Sequence, residues 1–168
     1  MKNIFYFFLA MILALPISAC SSHQDVSPTL NASNGERFAQ DTLMDFLESL
    51  HSGNYEEAAQ LYGGSYETMI DQNPALDPND QATLLRNACT VNGMQCLQVK
   101  SAVLDEVVSD TKFVFKVDFI QGDGTLFVLD PCCGGDEMSI PPQSVFYFKV
   151  IEGNQNEFTI MDMPPYVP

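Results

Sequence analysis

Phe113-Val114-Phe115-Lys116-Val117-Asp118-Phe119-Ile120 alternates its side chains at a period of two. Phe113, Phe115, Val117 and Phe119 fall on one side of an extended chain, and Val114, Lys116, Asp118 and Ile120 fall on the other. That is the pattern of a strand with one buried face. The flanking sequence extends it into a sheet. Gln121-Gly122-Asp123-Gly124 is a turn signal in which Gly124 can take a positive φ, and Thr125 to Leu129 is expected to return as a paired strand. Phe146, Phe148 and Val150 alternate with Val145, Tyr147 and Lys149 in a third long strand. Glu152-Gly153-Asn154-Gln155-Asn156 turns that strand, and Phe158 and Ile160 begin the last one. An earlier strand runs from about Leu97 to Val108. Pro164-Pro165 ends the sheet, since proline cannot donate to a ladder.

Upstream of the sheet the period changes. Phe38, Leu43, Phe46, Leu47 and Leu50 recur near helical spacing between Arg37 and His51. Asn34 is placed to cap this helix and Gly53 to end it. Asn54 is the expected cap of a second helix through Leu61, with Tyr55, Ala58, Ala59, Leu61 and Tyr62 as its apolar set; Gly63-Gly64 breaks it. Tyr66 to Ile70 adds a further turn. Asp77-Pro78-Asn79-Asp80 reads as a helix start, with Asp77 as N-cap and Pro78 at the first helical position. Leu84 and Leu85 carry that helix into the core, and it stops near Cys89. Helices first and an antiparallel meander second predict an α+β fold, with N-terminal helices packed on a curved antiparallel sheet of about four to six strands.

The chain opens with Lys2, an uncharged apolar run from Ile4 to Leu15, a helix-breaking Pro16, and then Ile17-Ser18-Ala19-Cys20. The run is shorter than the ~20 residues of a spanning helix and matches the apolar region of a secretory signal. Ile17 to Cys20 resembles the lipobox of bacterial lipoproteins: an aliphatic residue, two small residues, then the cysteine that is lipidated and becomes the new N-terminus. The resemblance implies a signal peptide over residues 1–19, lipidation at Cys20, a flexible polar tether over 20–33 and a single domain over 34–168. It also implies attachment through acyl chains such as palmitate, on the extracytoplasmic side of a cell membrane or outer membrane. An ordinary secretory signal cut after Ala19 is the plainer alternative.

Composition narrows the partners. Seven Lys and Arg stand against 22 Asp and Glu, for a net charge of -15, and Lys2 would leave with the leader. Nucleic-acid binding needs a basic footprint, so this balance argues against it. It argues equally against adhesion to anionic lipid head groups. Besides Cys20 the cysteines are Cys89, Cys96, Cys132 and Cys133, an even set that favours disulfides in an exported domain. Pairing Cys89 with Cys96 would leave the adjacent Cys132 and Cys133 to bridge each other through a strained peptide geometry, and is discounted on that ground. The expectation is two bridges from Cys89 and Cys96 to Cys132 and Cys133, each closing a loop of roughly 40 residues worth about 4 kcal/mol. A four-thiolate zinc site or a redox-active Cys132-Cys133 pair is the sharper alternative, though the spacing lacks the usual two residues between paired ligands.

Phe46-Leu47-Glu48-Ser49-Leu50-His51-Ser52-Gly53-Asn54-Tyr55-Glu56-Glu57-Ala58-Ala59 resembles the opening helix-turn-helix of the nuclear transport factor 2-like domains, which are cone-shaped and cystatin-like. The element order agrees over about Gly35 to Val167. The same stretch also resembles a tetratricopeptide unit, but no second copy follows it. The cone resemblance implies a pocket between the sheet and the helices, with Phe46, Tyr62, Tyr66, Phe115, Phe119 and Phe148 as candidate lining. Relatives of that kind include ketosteroid isomerases and polyketide cyclases as well as domains that only bind ligands or pair into dimers, so fold does not choose between them.

An isomerase site needs a carboxylate base and a phenol or second acid in an apolar pocket. Asp118, Asp130, Tyr62, Tyr66 and Tyr147 are the residue types present. Asp118 lies opposite the phenylalanine face, however, and Asp130 precedes a proline. His23 falls in the tether, and His51 sits at a helix end where its charge suits the dipole. Asp71 to Asp80 offers oxygen ligands without the alternating loop of a calcium site, and capping already accounts for Asp77 and Asp80. The leading expectation is a membrane-anchored, non-enzymatic domain without a cofactor or metal. It would bind a small apolar ligand or a protein partner, or form a homodimer through its sheet face. A small isomerase or cyclase using the cone pocket is the alternative.

Overall fold

The computed structural model describes residues 34–130, 141–153 and 157–167. The leader, Cys20, the tether, the Pro131-Cys132-Cys133-Gly134-Gly135 corner and the turn residues Asn154, Gln155 and Asn156 lie outside the described residues. Four helices, α1 (Asn34–Ser52), α2 (Tyr55–Leu61), α3 (Glu67–Gln72) and α4 (Gln81–Thr90), precede four strands, β1 (Gln98–Ser109), β2 (Lys112–Ile120), β3 (Val145–Glu152) and β4 (Phe158–Ile160). The strands form one antiparallel sheet in the order β1-β2-β3-β4. The fold is α+β, with helices first and a meander second.

The helix boundaries follow local chemistry. Gly53 takes φ +82, and Asn54 and Gly53 donate from their backbone N–H groups to the Ser49 and Leu50 carbonyls at 2.8 and 3.4 Å. This αL closure satisfies two of the orphan carbonyls at the end of α1. Asn54 makes no side-chain cap on α2 and contributes only its carbonyl, to Ala58. α4 begins later than the Asp-Pro signal suggests. Its N-cap is Asp80, whose side chain accepts from the Thr83 N–H at 3.0 Å, while Asp77 accepts from the Asn79 N–H at 2.9 Å and shapes the preceding turn.

The alternation read in β2 holds residue by residue: Phe113, Phe115, Val117 and Phe119 are buried, as are Phe146, Phe148 and Val150 on β3. α1 lies across this face and touches all four strands, bringing Ala39, Leu43, Phe46, Leu47 and Leu50 into the core. Each large apolar side chain taken from water there is worth about 1.5–3 kcal/mol. β1 pairs its 12 residues against the nine of β2 through three register shifts, between Val99 and Ser101, Leu104 and Glu106, and Val107 and Ser109. Bulges of this kind bend and twist a strand. Asp105, at the middle shift, pairs with Lys116 of β2 at 2.6 Å.

Two expectations are corrected. Thr125 to Leu129 does not form a strand. The turn closes with Gly124 at φ +83, Phe127 donates to the Phe119 carbonyl at 2.9 Å, and pairing is limited to single bridges, Ile120 to Leu126 and Leu129 to Gln143. Asp123 accepts from both the N–H and the hydroxyl of Thr125, which holds that residue in the turn instead of a ladder. The cysteine pairing also differs: Cys89 bridges Cys96, with Cα atoms 5.5 Å apart. Gly93 at φ +87 reverses the chain after α4 and returns Cys96 beside the end of the helix. Local chain reversal therefore wins over the long-range staple, and Cys132 and Cys133 lie outside the described residues.

Candidate functional site

The helix-covered side of the sheet carries buried, mutually packed side chains. Phe46, Phe115, Phe119 and Phe148, all pocket candidates from the sequence, are fully buried core residues. Phe119 packs edge-on to Phe148 at 6.2 Å, and Phe46 stacks on Tyr62 at 5.9 Å. Tyr66 meets Tyr62 edge-on at 5.1 Å. None of the six lines either of the two clefts described below. The structure brings Phe46, Tyr62 and Tyr66 together as an aromatic cluster, and Phe115, Phe119 and Phe148 as sheet core.

The chemistry of the tyrosine cluster is one of donors. Burial pushes the Tyr62 phenol up to about 12, with the Asp162 carboxylate adding to the rise, and burial does the same at Tyr66, again to about 12. Burial raises Tyr166 too. All three therefore stay protonated near neutral pH. Tyr62 spends its proton on the Ser65 carbonyl at 3.1 Å, whereas the hydroxyls of Tyr66 and Tyr166 are buried without a protein partner. Asp162 accepts from the Lys149 backbone N–H at 2.7 Å and from its ammonium at 3.3 Å. The two carboxylates expected from the sequence, Asp118 and Asp130, face elsewhere. Asp118 sits on the sheet side opposite the phenylalanines and accepts from Ser101 at 2.9 Å, and Asp130 is exposed. His51 donates from Nδ1 to the Cys96 carbonyl at 3.1 Å and ties the end of α1 to the disulfide loop. Among the described residues no cluster of His, Cys, Asp and Glu is arranged to hold a metal ion. None of the described helices is long and apolar enough to cross a membrane.

A groove of about 770 Å³ opens elsewhere, at the start of α1. Asn34, Gly35, Phe38 and Thr42 form one wall, Gln60 and Leu61 of α2 the second, and Glu152, Glu157, Phe158 and Thr159 of the β3–β4 hairpin the floor and rim. Phe38 is 63% exposed and Phe158 is buried beneath. The ladder alternates here: Gly153 donates to Glu157 and Met161 to Lys149, so Ile151 and Thr159 face each other as a hydrogen-bonded pair. The Phe158 N–H and carbonyl consequently point away from β3, along the free edge toward α2. Two residues on, Gly63 donates to the Ile160 carbonyl at 2.9 Å and closes that edge. A shallower depression of about 520 Å³ runs over Pro141, Pro142, Gln143, Ser144, Val145 and Tyr147. The outer face of the sheet exposes Val103 and Tyr147, interleaved with the Lys116–Asp105 and Lys149–Asp162 ion pairs.

The sequence reading missed the groove by placing Phe38 in the core stripe. Ala39, Leu43, Phe46, Leu47 and Leu50 are the buried apolar residues of α1. Their offsets of four, seven, eight and eleven from Ala39 are helical; Phe38 falls about 100° off that line. Strict counting would have marked it as an exposed aromatic. The hairpin wall carried no such signal. Comparison with protein-family models, with curated proteins and with solved structures finds no match for this chain.

Proposed function

We propose that this chain is a lipid-anchored, extracytoplasmic, non-enzymatic binding domain of the nuclear transport factor 2-like cone type, and that its ligand occupies the groove between α1, α2 and the β3–β4 hairpin. The observation that carries the reading is the open groove, whereas the pocket candidates of the interior are buried core residues. The volume lies within the range of small-molecule clefts, which are apolar with a few polar groups placed for orientation. Phe38, Leu61 and Phe158 supply the apolar surface, and Gln60, Thr42 and Thr159 the polar groups. The anchor is supported by the Ile17-Ser18-Ala19-Cys20 run, and the cone by the helix-turn-helix opening and by α1 lying across the sheet. For the isomerase alternative, the carboxylate whose charge reaches Tyr62, Asp162, is engaged by the backbone N–H and ammonium of Lys149, which argues against its use as a base.

Native mass spectrometry of the full chain tests this. The wild type should retain a small co-purifying molecule that Phe38→Ala loses. Because Phe38 is exposed, the substitution leaves the core intact. Equal retention by both proteins would place the ligand elsewhere and overturn the groove assignment.

A further inference from the structure

We infer that the groove selects amphipathic organic cations, with an ammonium at the Glu152–Glu157 rim and an apolar tail against Phe38, Leu61 and Phe158; this rests on the groove being the binding site. The first ground is charge. Among the described residues the lining contains two carboxylates and no Lys, Arg or His. The two described ion pairs, Lys116–Asp105 and Lys149–Asp162, use other carboxylates, so among the described residues neither Glu152 nor Glu157 has a cationic partner. The second ground is the aromatic ring. Phe38, 63% exposed, lines the same groove as the carboxylates, and an aromatic ring together with carboxylates is an arrangement by which proteins hold alkylammonium groups. One feature opposes this: α1 starts at the same groove, and a helix N-terminus carries roughly half a positive charge. The two full carboxylates of the rim outweigh it.

The free edge decides the size of the occupant. An added peptide strand would need a run of unpaired backbone groups. Among the described residues only Phe158 presents them before Gly63 closes the edge at Ile160. The occupant is therefore a small amphiphile and not an extended peptide.

Three isosteric probes test the inference by calorimetric titration of the full chain: 4-phenylbutylamine, 4-phenylbutanol and 4-phenylbutyrate. The amine should bind best and the carboxylate worst. Glu152→Gln combined with Glu157→Gln should weaken the amine roughly tenfold, the scale of two partly exposed charge contacts, and leave the alcohol where it was. Raising the salt concentration should weaken the amine alone. If amine and alcohol bind equally, both are lost in Phe38→Ala, and the double glutamine variant changes neither, the charge selectivity is wrong while the groove stands. If none of the three binds, the groove assignment fails along with it.

Discussion

At the scale of single residues, two positions show how little freedom the turns leave. Gly93 combines a positive φ with crowding, since a Cβ built there runs into the Val167 carbonyl oxygen. Gly93→Ala should cost about 1–3 kcal/mol, the price of a non-glycine residue held in the left-handed region. Gly122, in the β2 turn, has nothing within 4 Å of an added Cβ, and Gly122→Ala should change the denaturant midpoint little. Asp80 is the second position. Hydrogen bonds from Thr83 hold its carboxyl below the ordinary value of 3.8, so its ionised form stabilises the native state. The sign follows by linkage: the contribution is whole above the unfolded value and fades as pH falls through the lower folded one. Asp80→Asn keeps a capping acceptor but loses the charge. The gap in denaturant midpoint between wild type and variant should be constant near neutrality and close as the solution is acidified below about pH 4.

At the scale of elements, the sheet was the legible part. Phe113 to Phe119 and Phe146 to Val150 alternate without interruption, and a one-residue slip would turn every phenylalanine outward, so the pattern leaves a single answer. Phe115→Ala and Phe148→Ala should each destabilise by about 3–5 kcal/mol in denaturant unfolding. Lys116→Ala and Lys149→Ala, on the other face, should do little, because surface ion pairs contribute weakly. Where the reading failed, competing local interactions were responsible. The Asp123–Thr125 contacts stop a strand that composition favoured, and Asp80 captures the cap that Asp77-Pro78 advertised. The cysteine pairing failed for a similar reason, since nothing in spacing alone announces that Gly93 folds Cys96 back onto α4. The Cys89–Cys96 bridge spans seven residues, and a loop that short is worth about 2.4 kcal/mol by chain entropy, less than the staple expected from sequence. Non-reducing peptide mapping should recover a Cys89–Cys96 cross-link. Replacing both by alanine should lower stability by about that amount, and a peptide joining Cys89 to Cys132 or Cys133 would contradict the fold described.

For the whole molecule, the proposed anchor makes a plain prediction. Cys20→Ser should shift the protein from the membrane to the soluble or unprocessed fraction and abolish incorporation of a labelled fatty acid. Equal labelling of both forms would rule out Cys20 as the acceptor. The site was the illegible part at this scale, because it is assembled from α1, α2 and a hairpin that follows α2 only after two further helices and two strands. Only Phe38 carried a local hint. α1 itself gives the molecule two distinct ends. Asn34 opens into the groove, while His51 holds the loop of Cys96, beside which Gln95 donates to Pro165 and Val167 donates to Gly93. A helix of 19 residues separates these ends by about 28 Å. A fluorescent protein or affinity tag fused behind the C-terminus should therefore emerge well clear of the groove and leave whatever binds there undisturbed.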